Sequence, residues 1–299
     1  MSHILLRFHI RDLEQFTGVK AHTIRVWERR YGLLAPDRTD TNIRTYDLDE
    51  LKVILNVAFL NQRGHKISRI AAMTADEREK LVRTAAMEDP GVDGVLNTLV
   101  VAMLGFEEPI FDRICDRYEQ EHGFRALVEQ IFMMLLGRIG LLWQSSAICP
   151  AQEHFVSNLI RQRLIGATAN QPTPTNTDSL HVLFLPDQEV HELGLLYVNY
   201  LLRSHGKRTL YLGQSVPVSD LAQVAKIHGG QLTYIAQFVV HPSAADAPRY
   251  LLELRRQLPE ERMHFLLAFA GSGDLAKKDV PSGMELVTDV SGMISAIDR

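Results

Sequence analysis

Only two cysteines, Cys115 and Cys149, occur in the 299 residues. That excludes a disulfide framework and a cysteine-cluster zinc site, and a reducing cytoplasm is the expected home. Long hydrophobic runs are equally scarce. The best candidate, IFMMLLGRIGLLW, is interrupted by Arg138, so no apolar run is expected to reach membrane-spanning length. The opening MSHILLRFHI lacks the long apolar core and small-residue cleavage site of a secretory signal. Positive charge is not in excess, since the net charge is −4, which argues against wholesale nucleic-acid binding. Its distribution is uneven, however. Residues 1–69 hold twelve Lys and Arg against eight Asp and Glu, and the remaining 230 residues hold twenty against twenty-eight. A positive head on a negative body puts any phosphate-facing surface at the N-terminus.

Apolar content of 46% and charged content of 23% are those of an ordinary globular protein. The length predicts two or three domains, and the pattern divides the chain accordingly. Residues 1–75 read as short helices around a basic turn, and 80–167 as almost continuous helix without strand-like runs. TANQPTPTNTDS (168–179) reads as a linker. From 180 to 299 the apolar runs HVLFLP, RTLYLG, LTYIAQFVV and HFLLAFA alternate with helix-length segments at 190–205, 217–229 and 245–257. Such alternation predicts βαβ units and a parallel sheet covered on both faces, a flavodoxin-like or Rossmann-like α/β domain. The whole is therefore expected to be multidomain, α and α/β, with no internal repeat.

The head, HIRDLEQFTGVKAHTIRVWERRYGLL, has the layout of a helix-turn-helix. Ile10, Leu13 and Phe16 form one apolar face, Gly18 permits the turn, and Ile24 and Trp27 supply the core side of a second helix. That helix would direct His22, Thr23 and Arg25 outward toward bases or phosphates. In APDRTDTNIRTYDLDEL, Pro36 is expected to stop the helix. Arg38, Arg44 and Tyr46 would belong to a small hairpin wing, and Asp47 would cap the next helix. The segment IRDLEQFTGVKAHTIRVWERRYGLLAPDRTDTNIRTYDLDEL resembles the winged-helix head of the MerR family of transcriptional regulators. Its VWERRYGLL version is similar to that of the CarH/LitR group, whose C-terminal region resembles cobalamin-binding modules. The resemblance implies a dimer or higher oligomer on a two-fold operator in double-stranded DNA.

DQEVHELG (187–194) follows the run HVLFLP directly. By itself it reads either as an acidic helix start or as an imidazole oriented by a nearby carboxylate. Cobalamin-binding α/β domains carry Asp/Glu-x-His-x-x-Gly after their first strand, and here Glu189, His191 and Gly194 match it. The resemblance makes His191 a cobalt ligand through neutral imidazole, with Glu189 fixing its orientation and Gly194 allowing close approach of the corrin or its tail. The later parts of the pattern have drifted. Ser-x-Leu is replaced by Ala236-Gln237-Phe238, and Gly-Gly by Gly271-Ser272-Gly273. Ala236 and Gly271 would still line the tail channel, at some cost in affinity.

In the helical middle, Trp143, Glu153 and His154 stand as W-x9-E-H across a break at Pro150. Alone this reads as a core Trp before a polar helical turn. The same spacing marks the bundle of CarH-type adenosylcobalamin regulators. The resemblance therefore implies that Trp143 covers the upper face of the corrin and that Glu153 and His154 contact the adenosyl group. Light-responsive members carry a His after the Trp; here it is Gln144, an amide and a poor ligand for low-spin cobalt.

These features imply a cytoplasmic regulator, a repressor rather than an enzyme. It would be controlled by adenosylcobalamin (methylcobalamin being a second option), and by light, through a homodimer or homotetramer. The alternative is a MerR-type regulator that has lost cobalamin and binds a protein partner or another ligand.

Overall fold

In the computed structural model the described residues are 7–88, 91–144, 148–174, 179–228, 231–258, 262–267, 280–287, 292 and 295. They fall into two compact units, Met1–Leu159 and Ile160–Arg299.

The first unit opens with α1 (Ile10–Thr17) and α2 (Ala21–Tyr31). Gly18 closes α1 in the left-handed conformation, at φ 70°, which costs glycine nothing. Helix α2 ends in the same way at Gly32, φ 62°. Pro36 is thus not what stops it, because a glycine with no Cβ penalty ends the helix a turn earlier. The two-residue strands β1 (Asp37–Arg38) and β2 (Arg44–Thr45) pair antiparallel as a wing. Asp47 then caps α3 (Leu48–Gln62) as expected. It accepts from the Glu50 N–H at 2.9 Å, while Glu50 accepts from the Asp47 N–H at 3.0 Å. The short α4 (Ile67–Ala71) and α5 (Ala75–Glu88) complete the head.

Next come α6 (Gly91–Gly105), α7 (Glu108–His122) and the three-residue α8 (Phe124–Ala126). A π-helical turn, Leu127–Phe132, joins α8 to α9 (Met133–Gln144), and α10 (Pro150–Ala169) follows. Helix α3 lies against α6, and α1 against α9. Phe124–Trp143 is long and apolar enough to cross a membrane by length and composition, contrary to the expectation from Arg138. One side of it faces the core of the first unit. Leu127, Val128, Ile131, Phe132 and Leu135 are buried, and Arg138 is paired with Asp93 and Asn97 at 2.9 and 3.0 Å.

The second unit contains the later part of α10 and an α/β sandwich. Strands β3 (Ser179–Pro186), β4 (Arg208–Val216), β5 (Gln231–Phe238), β6 (Arg262–Leu267) and β7 (Met284–Val287) form one parallel sheet in the order β4-β3-β5-β6-β7. This is the flavodoxin-like order, with β3 at the switch point. Helix α11 (Leu193–Ser204) packs Leu195, Val198 and Leu202 on one face, against Leu183, Leu185 and Ile235. Helices α12 (Val218–His228) and α13 (Ala247–Gln257) cover the other face through Leu221, Leu251 and Leu254, against Val182, Phe184 and Ala236. Burial on both faces is why β3 reads as an unbroken apolar run rather than an alternating one.

Candidate cofactor site and DNA-reading head

The loop after β3 is built around one carboxylate. Glu189 is fully buried, and Oε1 accepts from the N–H groups of Val190 and His191 at 2.9 and 3.0 Å. Oε2 accepts from three successive N–H groups of the loop after β5: Val239 at 3.0, Val240 at 2.6 and His241 at 2.8 Å. The His191 ring joins them, with Nδ1 2.6 Å from Oε1. Burial opposes ionisation of this carboxyl, but the His191 hydrogen bond and the backbone donors outweigh it and hold its pKa well below the usual carboxylate range. An acceptor-only partner puts the ring proton on Nδ1 and leaves Nε2 as the basic nitrogen of a half-exposed imidazole. With its carboxylate occupied by backbone donors, DQEVHE is loop, and α11 begins only at Leu193.

Two neighbouring strands reinforce this loop. At the end of β4, Ser215 Oγ donates to Asp187 and accepts from the Gln188 N–H, at 2.9 and 3.0 Å. Gln214 donates to the Val190 carbonyl at 3.1 Å. Glu192, next to His191, is buried and accepts from Arg161 of α10 at 2.5 Å and from the Tyr211 hydroxyl of β4 at 2.8 Å. Burial, then Glu192, push the Tyr211 phenol far above its ordinary pKa, so it stays a donor.

The expected cofactor residues are distributed as follows. Glu189 and His191 are brought together, and Gly194 stands in the first turn of α11. Ala236 is buried on the opposite face of the sheet, among Leu221, Leu251 and Leu254. Strand alternation gives the Gly194 side to its neighbour Gln237: a Cβ at Gly194 would lie 2.5 Å from Gln237 Oε1. The period-two rule, with Leu232, Tyr234 and Ala236 as one face, was the signal that could have found Gln237. Gly271, Ser272 and Gly273 lie outside the described residues. In the first unit Trp143 is 49% exposed near the end of α9. Glu153 and His154 are in the first turns of α10, where His154 Nδ1 lies 2.7 Å from Glu153, whose other oxygen accepts from Ser157 at 2.7 Å. The Gln144 side chain lies outside the described set.

Among the described residues no three His, Cys, Asp or Glu side chains converge on one point, so these side chains offer no cage for a bare ion. A single basic imidazole nitrogen oriented by a buried carboxylate fits a metal that brings its own equatorial ligands, as cobalt in a corrin does. It also sits beyond the carboxyl end of a strand at the switch point, where open α/β sheets bind ligands.

In the head, His22, Arg25 and Arg38 are exposed and Thr23 is half-buried. Arg44 pairs with Glu28 of α2 at 3.0 Å. Tyr46 is fully buried and donates to the same Glu28 at 3.0 Å. Tyr46 therefore belongs to the root of the wing and not to its DNA face, because its ring fills core space and its hydroxyl is already satisfied. A groove of about 750 Å³ runs between α1, α2 and the wing, and Arg11, Gln15, Arg25, Asn42 and Arg44 contribute to its lining.

Residues 8–77 match the MerR HTH family regulatory protein model, and residues 95–165 match the B12 binding domain model. The chain is 29% identical over 258 residues to the HTH-type transcriptional repressor CarH of Myxococcus xanthus, covering 84% of this chain and 85% of that one. It is 28% identical to the repressor CarA of the same organism, over 72% of this chain and 71% of the relative. Among solved structures, the monomethylamine corrinoid protein of Methanosarcina barkeri shares the fold, at 13% identity and TM-score 0.52 over 69% of this chain and 94% of that one. A MerR reading head joined to a cobalamin-binding region defines a cobalamin-linked, DNA-binding transcriptional regulator. The chain combines a MerR-type head with a B12-binding region and is similar in both to the CarH-type repressors.

Proposed function

We propose that this chain is a cytoplasmic repressor that binds operator DNA when loaded with adenosylcobalamin and releases it in light. The observation that carries the reading is His191, its Nδ1 held 2.6 Å from a buried Glu189. His191 would hold the cobalt through its imidazole, and Glu189 would raise its basicity and hold the ring's rotation. By the resemblance, Trp143, exposed at the end of α9, would shield a corrin face, and Glu153 and His154 would contact its adenosyl group. Adenosylcobalamin supplies a light-sensitive cobalt–carbon bond. Glu153 and His154 would hold the adenosyl group, and without that contact the bundle would lose the arrangement that favours assembly. His22, Arg25 and Arg38 read DNA from the head, and assembly into a tetramer multiplies their contacts through effective concentration. No residue is assigned a catalytic role; the chain acts as a regulator.

Size-exclusion chromatography of the full chain, incubated in the dark with adenosylcobalamin and again after green illumination, tests this directly. Corrin should co-elute with a large species that shrinks on illumination. Corrin co-eluting without a change in size would remove light from the reading and leave a cobalamin sensor. No corrin in the protein peak, or equal uptake by His191→Ala, would overturn the cobalt role of His191.

A further inference from the structure

His191 stands between two buried carboxylates, Glu189 two residues before it and Glu192 directly after it. Glu189 ties the loop to the segment after β5. Glu192 ties it elsewhere. It is the N-cap of α11, where a carboxylate ordinarily turns back to accept from the first N–H groups of its own helix. Glu192 makes no such bond. One oxygen accepts from Arg161 Nε of α10 at 2.5 Å, and the other from the Tyr211 hydroxyl of β4 at 2.8 Å. The cap of α11 is thus given up for two contacts outside that helix, and the buried charge beside His191 takes its cationic partner from α10.

Arg161 follows His154 by seven residues on α10, close to two turns at 3.6 residues each, so the two share one face of the helix. The Arg161 side chain is 45% exposed, against 5% for that of Glu192. A partner so open to water adds little to global stability. Its effect is local. It sets where Glu192 is held, and with it the adjoining backbone of His191.

The next step rests on the cobalamin reading, in which His191 holds cobalt and the first turns of α10 meet the adenosyl group. We infer that Arg161 is a positioning residue for His191, tying the imidazole loop to the helix that carries Glu153 and His154. Movement of α10 is then felt at the imidazole through Glu192, and Arg161 itself need not touch the corrin.

Two measurements on the full chain test this. In the cofactor-free protein, hydrogen exchange read by mass spectrometry should show the amides of 187–192 opening about fivefold faster in Arg161→Met than in wild type, with β3 unchanged. In the dark, equilibrium dialysis should show that variant binding adenosylcobalamin about fivefold more weakly. Its visible band should move to shorter wavelength as part of the bound cobalt loses its nitrogen ligand. Arg161→Lys keeps a cation able to make the single bond that Glu192 accepts here, and should recover both readings. Gln162→Met, at the exposed next position of α10, should change neither. Arg161→Ala serves in place of the methionine variant if circular dichroism shows the latter unfolded. Loop exchange equal to wild type, corrin binding equal to wild type, or a loss that Arg161→Lys does not recover would overturn the assignment. Failure of wild type to take up corrin would instead overturn the cobalamin reading, and exchange in the cofactor-free protein would still decide whether Arg161 holds the loop.

Discussion

Two glutamates organise the two ends of this molecule in different ways. Glu28 in the head is partly shielded and spends its oxygens on side chains, accepting from Arg44 and Tyr46, both at 3.0 Å. It ties the second helix to the wing and so sets the spacing of the exposed Arg25 and Arg38. Glu189 is fully buried and spends its oxygens mainly on backbone N–H groups from two loops some fifty residues apart. A side-chain clamp can be exchanged piece by piece at modest cost. A carboxylate collecting backbone donors cannot, because its loss leaves several buried N–H groups without acceptors. Glu28 is thus a replaceable contact, and Glu189 the contact of the imidazole loop whose loss is hardest to repair.

The largest expected effect tests that contrast directly. Glu189→Ala should destabilise the α/β unit by about 3–5 kcal/mol, read by thermal unfolding, and abolish corrin uptake. A melting temperature equal to wild type would show that the loop does not depend on this carboxylate. The same contrast predicts a pH dependence. The folded pKa of Glu189 is depressed, so its stabilisation is complete above the unfolded value, about 4.3. That stabilisation fades as pH falls through the folded value. The stability gap between wild type and Glu189→Gln should therefore narrow as pH falls below about 4. A gap that widened under acid would contradict the assigned direction.

Glu28→Ala should cost less, about 1–2 kcal/mol of head stability, and should weaken DNA binding because the wing is released from α2. Arg25→Ala should leave stability unchanged. It should reduce operator affinity about tenfold and, if the contact is to phosphate, lower the slope of affinity against log salt by about one. An unchanged gel-shift titration would remove Arg25 from the interface. The smallest effect is expected at Arg161→Met, about 1 kcal/mol or less, since Arg161 is half-exposed although Glu192 is not. A loss as large as that of Glu189→Ala would make Arg161 the second anchor of the loop.

Much of the fold was legible. Strands β3 to β6, helices α11 to α13, the wing and the Asp47 cap all fall where apolar periodicity and capping chemistry put them. Strand β7 was missed because MELV is too short and weakly patterned to stand out. Gly32, not Pro36, ends α2, since a glycine in left-handed geometry needs only its own dihedral freedom. That Tyr46 and Ala236 are both buried was not legible, because burial is decided by partners distant in sequence.

The sequence by itself therefore determined the order of domains, the reading head and the identity of the imidazole with its carboxylate, because local periodicity and short motifs encode them. Only the tertiary structure decided that Glu189 is bonded by the Val239–His241 loop. It also decided that Tyr46 faces inward and that Gln237, not Ala236, stands over Gly194. Each of these depends on which strands lie side by side and which face of a strand turns to which helix, and those long-range choices leave no mark within a short stretch of chain.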